Sequence, residues 1–504
     1  MISVTDDAGL ARRTEALSNR LQGDSVARRR HGDVTLWATA AALARRDLVT
    51  MTEPSDTATD DADVLADLRD WLGRHWDPDL TVAAWWELLG TAGWAAPTLA
   101  VDAYGRGVAR SVGIQIAREI AAFGALGAPD GLGIMLAAPT IADHGTPEQV
   151  GTLVRDIVTG QRSWCQLFSE PGAGSDLAGL STRAEEDGDE WIVNGQKVWT
   201  SLAKDADLGM LIVRSAPDLP KHKGITYFAL DMHQPGVEVR PLREMTGHAL
   251  FNETFLTDAR VASSAMIGAK NNGWAVTNST LAHERAGLGS GGVSGGVRLT
   301  PGTVAGNLER RVGDFVRAPG ANPKPDAAKS DASKTDGAES VAPTRRPGMH
   351  DLLIDLARHT GAAADPVIRQ DLVRLYVLNE LGRMNGERLK AVRSSGGDIP
   401  GMANISKLSM SAIMRLARDV GLSVVGAQGM LHAYDPADQA VLNEATGNPM
   451  LAAVTMTALY AQAPSIYGGT DQIQRNIIGE RALGLPREPG ADRDTPFSAL
   501  AKNG

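Results

Sequence analysis

Trp191-Ile192-Val193-Asn194-Gly195-Gln196-Lys197-Val198-Trp199-Thr200 interrupts a chain that elsewhere reads mainly as helix. The stretch is rich in β-branched and aromatic residues, and Asn194-Gly195 lies at its centre. Asn-Gly flanked by apolar residues is the strongest short hairpin signal, because both residues tolerate positive φ. Two short strands around an Asn-Gly turn are therefore predicted. The β pattern continues at Leu208-Gly-Met-Leu-Ile-Val-Arg214, Ile225-Thr-Tyr-Phe-Ala-Leu230 and Val237-Glu-Val-Arg240, which predicts a middle β domain over 161–270. Helical spacing surrounds it. Val64-Leu65, Leu68 and Trp71-Leu72, then Ile114, Ala117 and Ile120-Ala121, recur every three or four residues and predict a helical domain over 60–160. The same spacing returns at Leu352-Leu353-Ile354, Leu372 and Leu375, and Ile413-Met414, predicting a helical region over 271–490. Helix, then sheet, then helix is the segregated order of an α+β chain, not of repeated βαβ units.

A chain of 504 residues exceeds the roughly 250–300 that one core serves, so more than one domain is expected. Fifty Lys and Arg against sixty Asp and Glu leave a net charge of −10, which argues against nucleic acid and anionic membranes as partners. Cys165 is the one cysteine, so an internal disulfide and a cysteine-built metal cage are both excluded. A lone thiol fits a reducing, cytoplasmic setting. No His-Glu-x-x-His pair is present, and no metal site is predicted. The longest uncharged stretch is broken by Gly447, Asn448, Pro449, Gln462 and Pro464, a poor match to a membrane span. Residues 318–347 are polar and lack apolar periodicity, which predicts a disordered insert.

Three segments carry possible chemistry. Leu167-Phe-Ser-Glu-Pro-Gly-Ala-Gly-Ser-Asp176 is a strand running into a Gly/Pro loop. Such a loop exposes backbone N–H groups and hydroxyls to a planar or phosphorylated ligand, or simply makes a tight turn. Trp199-Thr200-Ser201 offers an aromatic face followed by two hydroxyls, or plain packing. Ile466-Tyr-Gly-Gly-Thr-Asp-Gln-Ile-Gln-Arg475 reads as the capped start of a helix. Gly287-Leu-Gly-Ser-Gly-Gly292 matches G-x-G-x-x-G by letter but follows a helical pattern, so a dinucleotide fingerprint is rejected.

Taken together, Ser169–Asp176, Asn194–Trp199, Phe251-Asn-Glu253 with Gly273-Trp274, and Ile466–Arg475 resemble the FAD-dependent acyl-CoA dehydrogenases in order and spacing. The resemblance spans about 60–490 and is closest to actinobacterial members. It implies a helical N-terminal domain, a middle β-barrel and a C-terminal four-helix bundle. It also implies FAD, an acyl-CoA substrate, an electron-transfer flavoprotein as acceptor, and a homo-oligomer, dimer or tetramer. By that resemblance Gln166, Phe168, Ser169, Gly174 and Ser175 line the cofactor, with Ser169 on the isoalloxazine and Ser175 near the CoA phosphates. Trp199 packs against the flavin, with Thr200 and Ser201 beside it. Thr470, Asp471 and Gln472 approach its ribityl and phosphate portion.

The family's reaction removes an α-proton from a thioester, which needs a shielded carboxylate. Many members carry that glutamate in an Ile-Tyr-Glu-Gly-Thr stretch, where this chain has Gly468. Others place it on the first helix after the β domain, which here reads Leu281-Ala-His-Glu284-Arg285. The resemblance therefore nominates Glu284 as base and turns Arg285 toward the substrate. A base at Glu284 also implies a different pocket shape, suited to branched, long or polycyclic acyl chains. The Arg-x-x-Phe-Gly segment that holds the FAD pyrophosphate in relatives is not recognisable, and Ser423-Val-Val-Gly-Ala-Gln-Gly429 stands where relatives have Gln-x-x-Gly-Gly. Two alternatives follow: a partner-dependent subunit of a hetero-oligomer with a paralogue, or a flavin monooxygenase or oxidase on the same scaffold. Met51 opens an acidic polar leader, so residues 1–50 are expected to be a non-native or disordered extension. Mass spectrometry of the native N-terminus tests this: a first peptide starting at Met51 is expected, and a peptide spanning Met51 contradicts it.

Overall fold

A computed structural model describes residues 57–288, 297, 299–316, 348–395, 397–487 and 494–500. The first fifty residues, the 318–347 insert and residues 289–292 of the glycine run lie outside the described residues. The chain divides into two units, 1–63 and 64–504, and the described part of the first is the start of helix α1 (Thr57–His75).

Helix α2 (Val82–Thr91) starts where the Thr81 hydroxyl accepts from Ala84 N at 3.1 Å, satisfying one of the free donors of the first turn. It buries Trp85, Trp86 and Leu89. The two indoles can be buried because their N–H groups donate to Leu126 O at 2.7 Å and Gly127 O at 2.8 Å. Helix α3 (Arg110–Phe123) buries Val112, Ile116 and Ile120, one residue per turn on one face. Helix α4 (Ala138–His144) and short turns at Pro147–Gln149 and Arg155–Val158 lead into the sheet.

Seven strands follow: β1 (Trp164–Leu167), β2 (Arg183–Asp187), β3 (Glu190–Lys197), β4 (Leu208–Arg214), β5 (Ile225–Asp231), β6 (Val237–Leu242) and β7 (Phe251–Ala262). Their order is β1-β4-β2-β3-β7-β6, with β5 also paired to β4. The result is a curled sheet, the half-barrel form of the expected middle β-barrel, with edges at β1, β5 and β6. The Asn194-Gly195 turn is corrected. β3 runs straight through it, and the hairpin turns instead at Gly188 (φ 69°), between β2 and β3. Asn194-Gly195 marks a bulge against β7. Asn194 Nδ2 donates to Asp258 Oδ1 and Asp258 N donates to Asn194 Oδ1, each at 3.0 Å. A Cβ at Gly195 would lie 2.4 Å from the Thr182 hydroxyl, so close approach to the neighbouring chain demands the glycine.

Beyond the sheet, α5 (Gly273–Leu288) lies against β5 and α4. Helices α6 (Met349–His359), α7 (Pro366–Ser394), α8 (Met402–Val425), α9 (Pro436–Thr446) and α10 (Leu451–Tyr460) come next. Leu353, Leu356, Leu372, Leu375, Val420, Val424, Leu451 and Val454 form one core shared by α6, α7, α8 and α10. Helix α11 (Asp471–Ile477) closes the region. No described helix is long and apolar enough to cross a membrane.

One ion pair joins the two motif segments of the sheet. Lys197 is fully buried, and its Nζ donates to Glu170 Oε1 at 2.8 Å and to Phe168 O at 3.1 Å. Glu170 also accepts from Ser181 N at 2.7 Å, Ser181 Oγ at 2.9 Å and Thr182 N at 2.9 Å. Burial alone would raise the Glu170 carboxyl, but the Lys197 charge and these donors overcome it and hold it at about 2. Burial draws the Lys197 ammonium below its ordinary value while the Glu170 charge pulls the other way.

Lys197→Met leaves a buried carboxylate alone and is expected to cost about 3–5 kcal/mol in urea unfolding. Adding Glu170→Gln should recover part of that loss. Because the folded carboxyl titrates below its ordinary 4.5, its stabilisation is full above that value and disappears as pH falls from there through about 2. A Lys197→Met protein as stable as the parent at neutral pH contradicts this account.

Candidate active site

The strand β1 carries the first site residues. Its side chains alternate: Cys165 and Leu167 enter the core of the sheet, while Trp164 and Phe168 join the core shared with the N-terminal helices. Gln166 lies between Trp164 and Phe168 on that second face. Phe168 meets the Tyr227 ring edge-on at 5.9 Å, and the Tyr227 hydroxyl lies 3.3 Å from Thr280 Oγ1 on α5. Burial raises the Tyr227 phenol, so it stays protonated.

Thr277 and Thr280 are fully buried on α5, and Glu284 follows Thr280 by one turn on the same face. Gln166 Nε2 lies 3.5 Å from Glu284 Oε2, the outer limit of a hydrogen bond. Glu284 keeps some surface of its own, yet protein surrounds the carboxylate closely. Desolvation raises its pKa, against the opposing pull of the Gln166 donor and the Arg285 charge. Arg285 is itself drawn below its ordinary value by burial, with Arg481 as a second positive charge nearby. This is a carboxylate made more basic than one in water.

The loop after β1 turns its charge inward. Glu170 faces Lys197, and Val198 N donates to Ser169 O at 2.9 Å, which ties the loop to the end of β3. Ala173 is buried, while Gly174 and Ser175 are exposed. Asp176 pairs with Lys221 at 2.9 Å. Beyond β3, Trp199 sits at φ 62°, a left-handed conformation that a bulky residue adopts only when held there. Its neighbours do the holding. Thr200 is buried, exchanges backbone hydrogen bonds with Asn252 at 3.0 and 3.1 Å, and donates its hydroxyl to Asn252 O at 2.8 Å. The Trp199 ring meets Phe251 edge-on at 5.8 Å yet is 59% exposed. Ser201 is half-buried beside it.

The third segment approaches the first across 295 positions: Ser175 Oγ lies 3.4 Å from Thr470 Oγ1. Gly468 and Gly469 both have positive φ, 62° and 83°, a conformation that disfavours a glutamate at either position. Thr470 caps α11 by accepting from Ile473 N at 3.3 Å, and Gln472 is exposed. Asp471 does not face Ser175. It is buried, with Arg415 Nη1 at 3.0 Å and Lys407 Nζ at 3.5 Å. Gln474 is fully buried, accepts from Asn404 Nδ2 at 2.7 Å and donates to Gly468 O at 2.8 Å.

Asn404, Lys407, Arg415 and Gln474 were missed by sequence reasoning. Their signal was available: Asn404, Lys407 and Ser411 repeat at helical spacing on a face of α8 that would otherwise be apolar, and all three are buried. Glu170 and Lys197 lie in two separate motif segments, and no local pattern marks them as a pair.

A flavin suits this donor set. The acids Glu170 and Asp471 are both turned into the protein. Asp176, in the same loop as Glu170, is exposed but paired with Lys221. Around these acids stand the largely exposed Trp199 ring, the exposed Ser175 and Gln472, and the half-buried Ser169 and Thr470. Neutral donors beside an aromatic plane match a large heteroaromatic ring with carbonyl oxygens and a phosphorylated tail.

Profiles described as acyl-CoA dehydrogenase, middle domain, and acyl-CoA dehydrogenase, C-terminal domain, match residues 165–259 and 348–483. The chain is 33% identical over 406 residues to acyl-CoA dehydrogenase IpdE1 of Mycobacterium tuberculosis, covering 80% of this chain and 88% of that protein. Among solved structures, the Tcur3481-Tcur3483 steroid ACAD superposes with TM-score 0.57 at 22% identity, over 87% of this chain and 100% of that one. The ChsE4-ChsE5 complex of Mycobacterium tuberculosis gives 0.54 at 23% identity, over 87% and 100%. With the half-barrel, the helical region and the ordered motifs, these matches make the chain a member of the acyl-CoA dehydrogenase family, FAD-dependent oxidoreductases acting on CH–CH groups.

Proposed function

We propose that this chain forms the α,β-double bond of an acyl-CoA thioester, giving a trans-2-enoyl-CoA, with Glu284 as the base. The observation that carries this reading is the partly buried Glu284 carboxylate beside Gln166, in a chain whose other family position for the base is Gly468. FAD, when bound, accepts the hydride leaving the β-carbon. Ser169, Gly174, Ser175, Trp199, Ser201, Thr470 and Gln472 hold and orient it, Phe168, Thr200 and Asp471 supporting them from within. Glu284 takes the α-proton, and Arg285 offers positive charge to the substrate. Closure of the site by substrate removes the remaining water around Glu284 and raises its basicity further.

Electrons then pass to an electron-transfer flavoprotein in this reading, and the working protein is an oligomer. Val373, Tyr376, Val377, Leu381 and Met384 form an exposed apolar stripe along α7, a surface suited to a second subunit, identical or paralogous. Gly468 keeps open a second reading, a subunit that holds flavin only with a paralogue. Expression alone and with that paralogue separates the two by flavin content.

Glu284→Gln is expected to retain FAD and to slow anaerobic flavin bleaching about 10²–10⁴-fold across straight, branched and steroid-bearing acyl-CoA thioesters. Bleaching at the parental rate contradicts the assignment, and rapid oxygen consumption by the reduced protein favours an oxidase. Since the Glu284 carboxyl is raised above its ordinary 4.5, bleaching should be lost as pH falls through that raised value and be full above it. Trp199→Gly removes a strained side chain but loosens the unfolded chain less favourably, so apoprotein stability should change by less than about 1 kcal/mol. Flavin retained through desalting should fall sharply. Unchanged retention contradicts the stacking role of Trp199.

A further inference from the structure

We infer that Gln166 is a positioning residue for the base, its carboxamide holding one oxygen of Glu284 so that the other faces the substrate. The inference rests on the reading of Glu284 as base and assigns Gln166 a duty toward protein, not cofactor.

The placement of Gln166 is the first argument. It stands on the β1 face whose neighbours, Trp164 and Phe168, are both buried apolar side chains. A carboxamide on such a face is unfavourable unless it finds a polar partner. Its Nε2 has one such partner among the described residues, Glu284 Oε2 at 3.5 Å. Phe168 is fixed by Tyr227, and Tyr227 by Thr280 one turn before Glu284, so strand and helix are held in mutual register. Thr280 Oγ1 also lies 3.0 Å from Thr140 Oγ1 on α4, which pins the helix from the other side.

The second argument is chemical. A glutamine can donate through Nε2 to a carboxylate and, after its amide turns over, accept through Oε1 from a carboxylic acid. It can therefore partner Glu284 before and after the proton moves, which a lysine or an arginine cannot. Among the described residues the charged groups around Glu284 are few. Arg285 acts on it from its own helix, with Arg481 behind that guanidinium. From α4, Asp143 is engaged with His283 at 3.0 Å, while β5 brings the neutral Tyr227. From α8, Lys407 and Arg415 face Asp471. Gln166 is thus the neutral donor that favours the carboxylate without adding charge to the site.

Gln166→Met keeps the length of the side chain and removes the donor, and Gln166→Glu restores hydrogen-bonding capacity but adds charge. Carbon-13 NMR of protein labelled at the glutamate carboxyls follows Glu284 directly, needing neither substrate nor flavin, and the resonance missing from Glu284→Gln identifies it. In Gln166→Met the Glu284 titration midpoint should move upward, and in Gln166→Glu further upward. Anaerobic flavin bleaching by acyl-CoA should then fall more in acid than in alkali, with flavin content unchanged. A Glu284 midpoint unmoved in Gln166→Met overturns the inference, as does loss of flavin with no change in that midpoint. The reading of Glu284 as base fails separately, if Glu284→Gln bleaches at the parental rate, whatever the midpoint does.

Discussion

A buried ammonium facing a buried carboxylate is the constraint on which the site depends. Lys197 and Glu170 come from different motif segments, and neither charge could remain in the interior without the other. Their pairing brings the loop after β1 against the end of β3. The backbone bond from Val198 N to Ser169 O then follows, and with it the placing of Ser169 beside Trp199. Replacing the pair with apolar residues could preserve stability, since buried ion pairs are often matched by good packing. It would not preserve the inward turn of Glu170, which leaves neutral donors facing outward.

The same device recurs in the helical region. Asp471 turns inward to Lys407 and Arg415, and Gln474 holds Gly468 O from beneath. In each motif one acid, Glu170 or Asp471, serves the scaffold, and the exposed Asp176 is matched by Lys221. That division keeps negative charge away from a cofactor whose phosphates are already anionic. The net charge of −10 therefore says little about the site, where local orientation decides the potential.

The segregated order of helix, sheet and helix was legible because apolar spacing of three or four residues separates from β-branched and aromatic runs, although the face that α3 buries carries Val112, Ile116 and Ile120 rather than Ile114 and Ala117. Asn194-Gly195 misled because one dipeptide serves two purposes. Positive-φ tolerance suggests a turn, but the lack of a Cβ at Gly195 answers to the Thr182 backbone, a contact no local pattern reveals. Gly188, three residues before Trp191, carried the real turn within an equally good Asp-Gly pair. The site residues were legible through resemblance rather than spacing. What resemblance omitted were the buried partners Lys197, Lys407 and Asn404. Each is a buried polar residue, Asn404 and Lys407 together on one face of α8, a signal that gains meaning only when the facing acid or amide is known.

The role of Glu284 is tested most directly by a structure of the protein with FAD and an acyl-CoA analogue bearing sulfur in place of the β-carbon, which cannot surrender a hydride. The account predicts the analogue's α-carbon within about 3.5 Å of a Glu284 carboxylate oxygen, on the side away from Gln166. An α-carbon held against the Gly468 segment, with Glu284 out of reach, would contradict it.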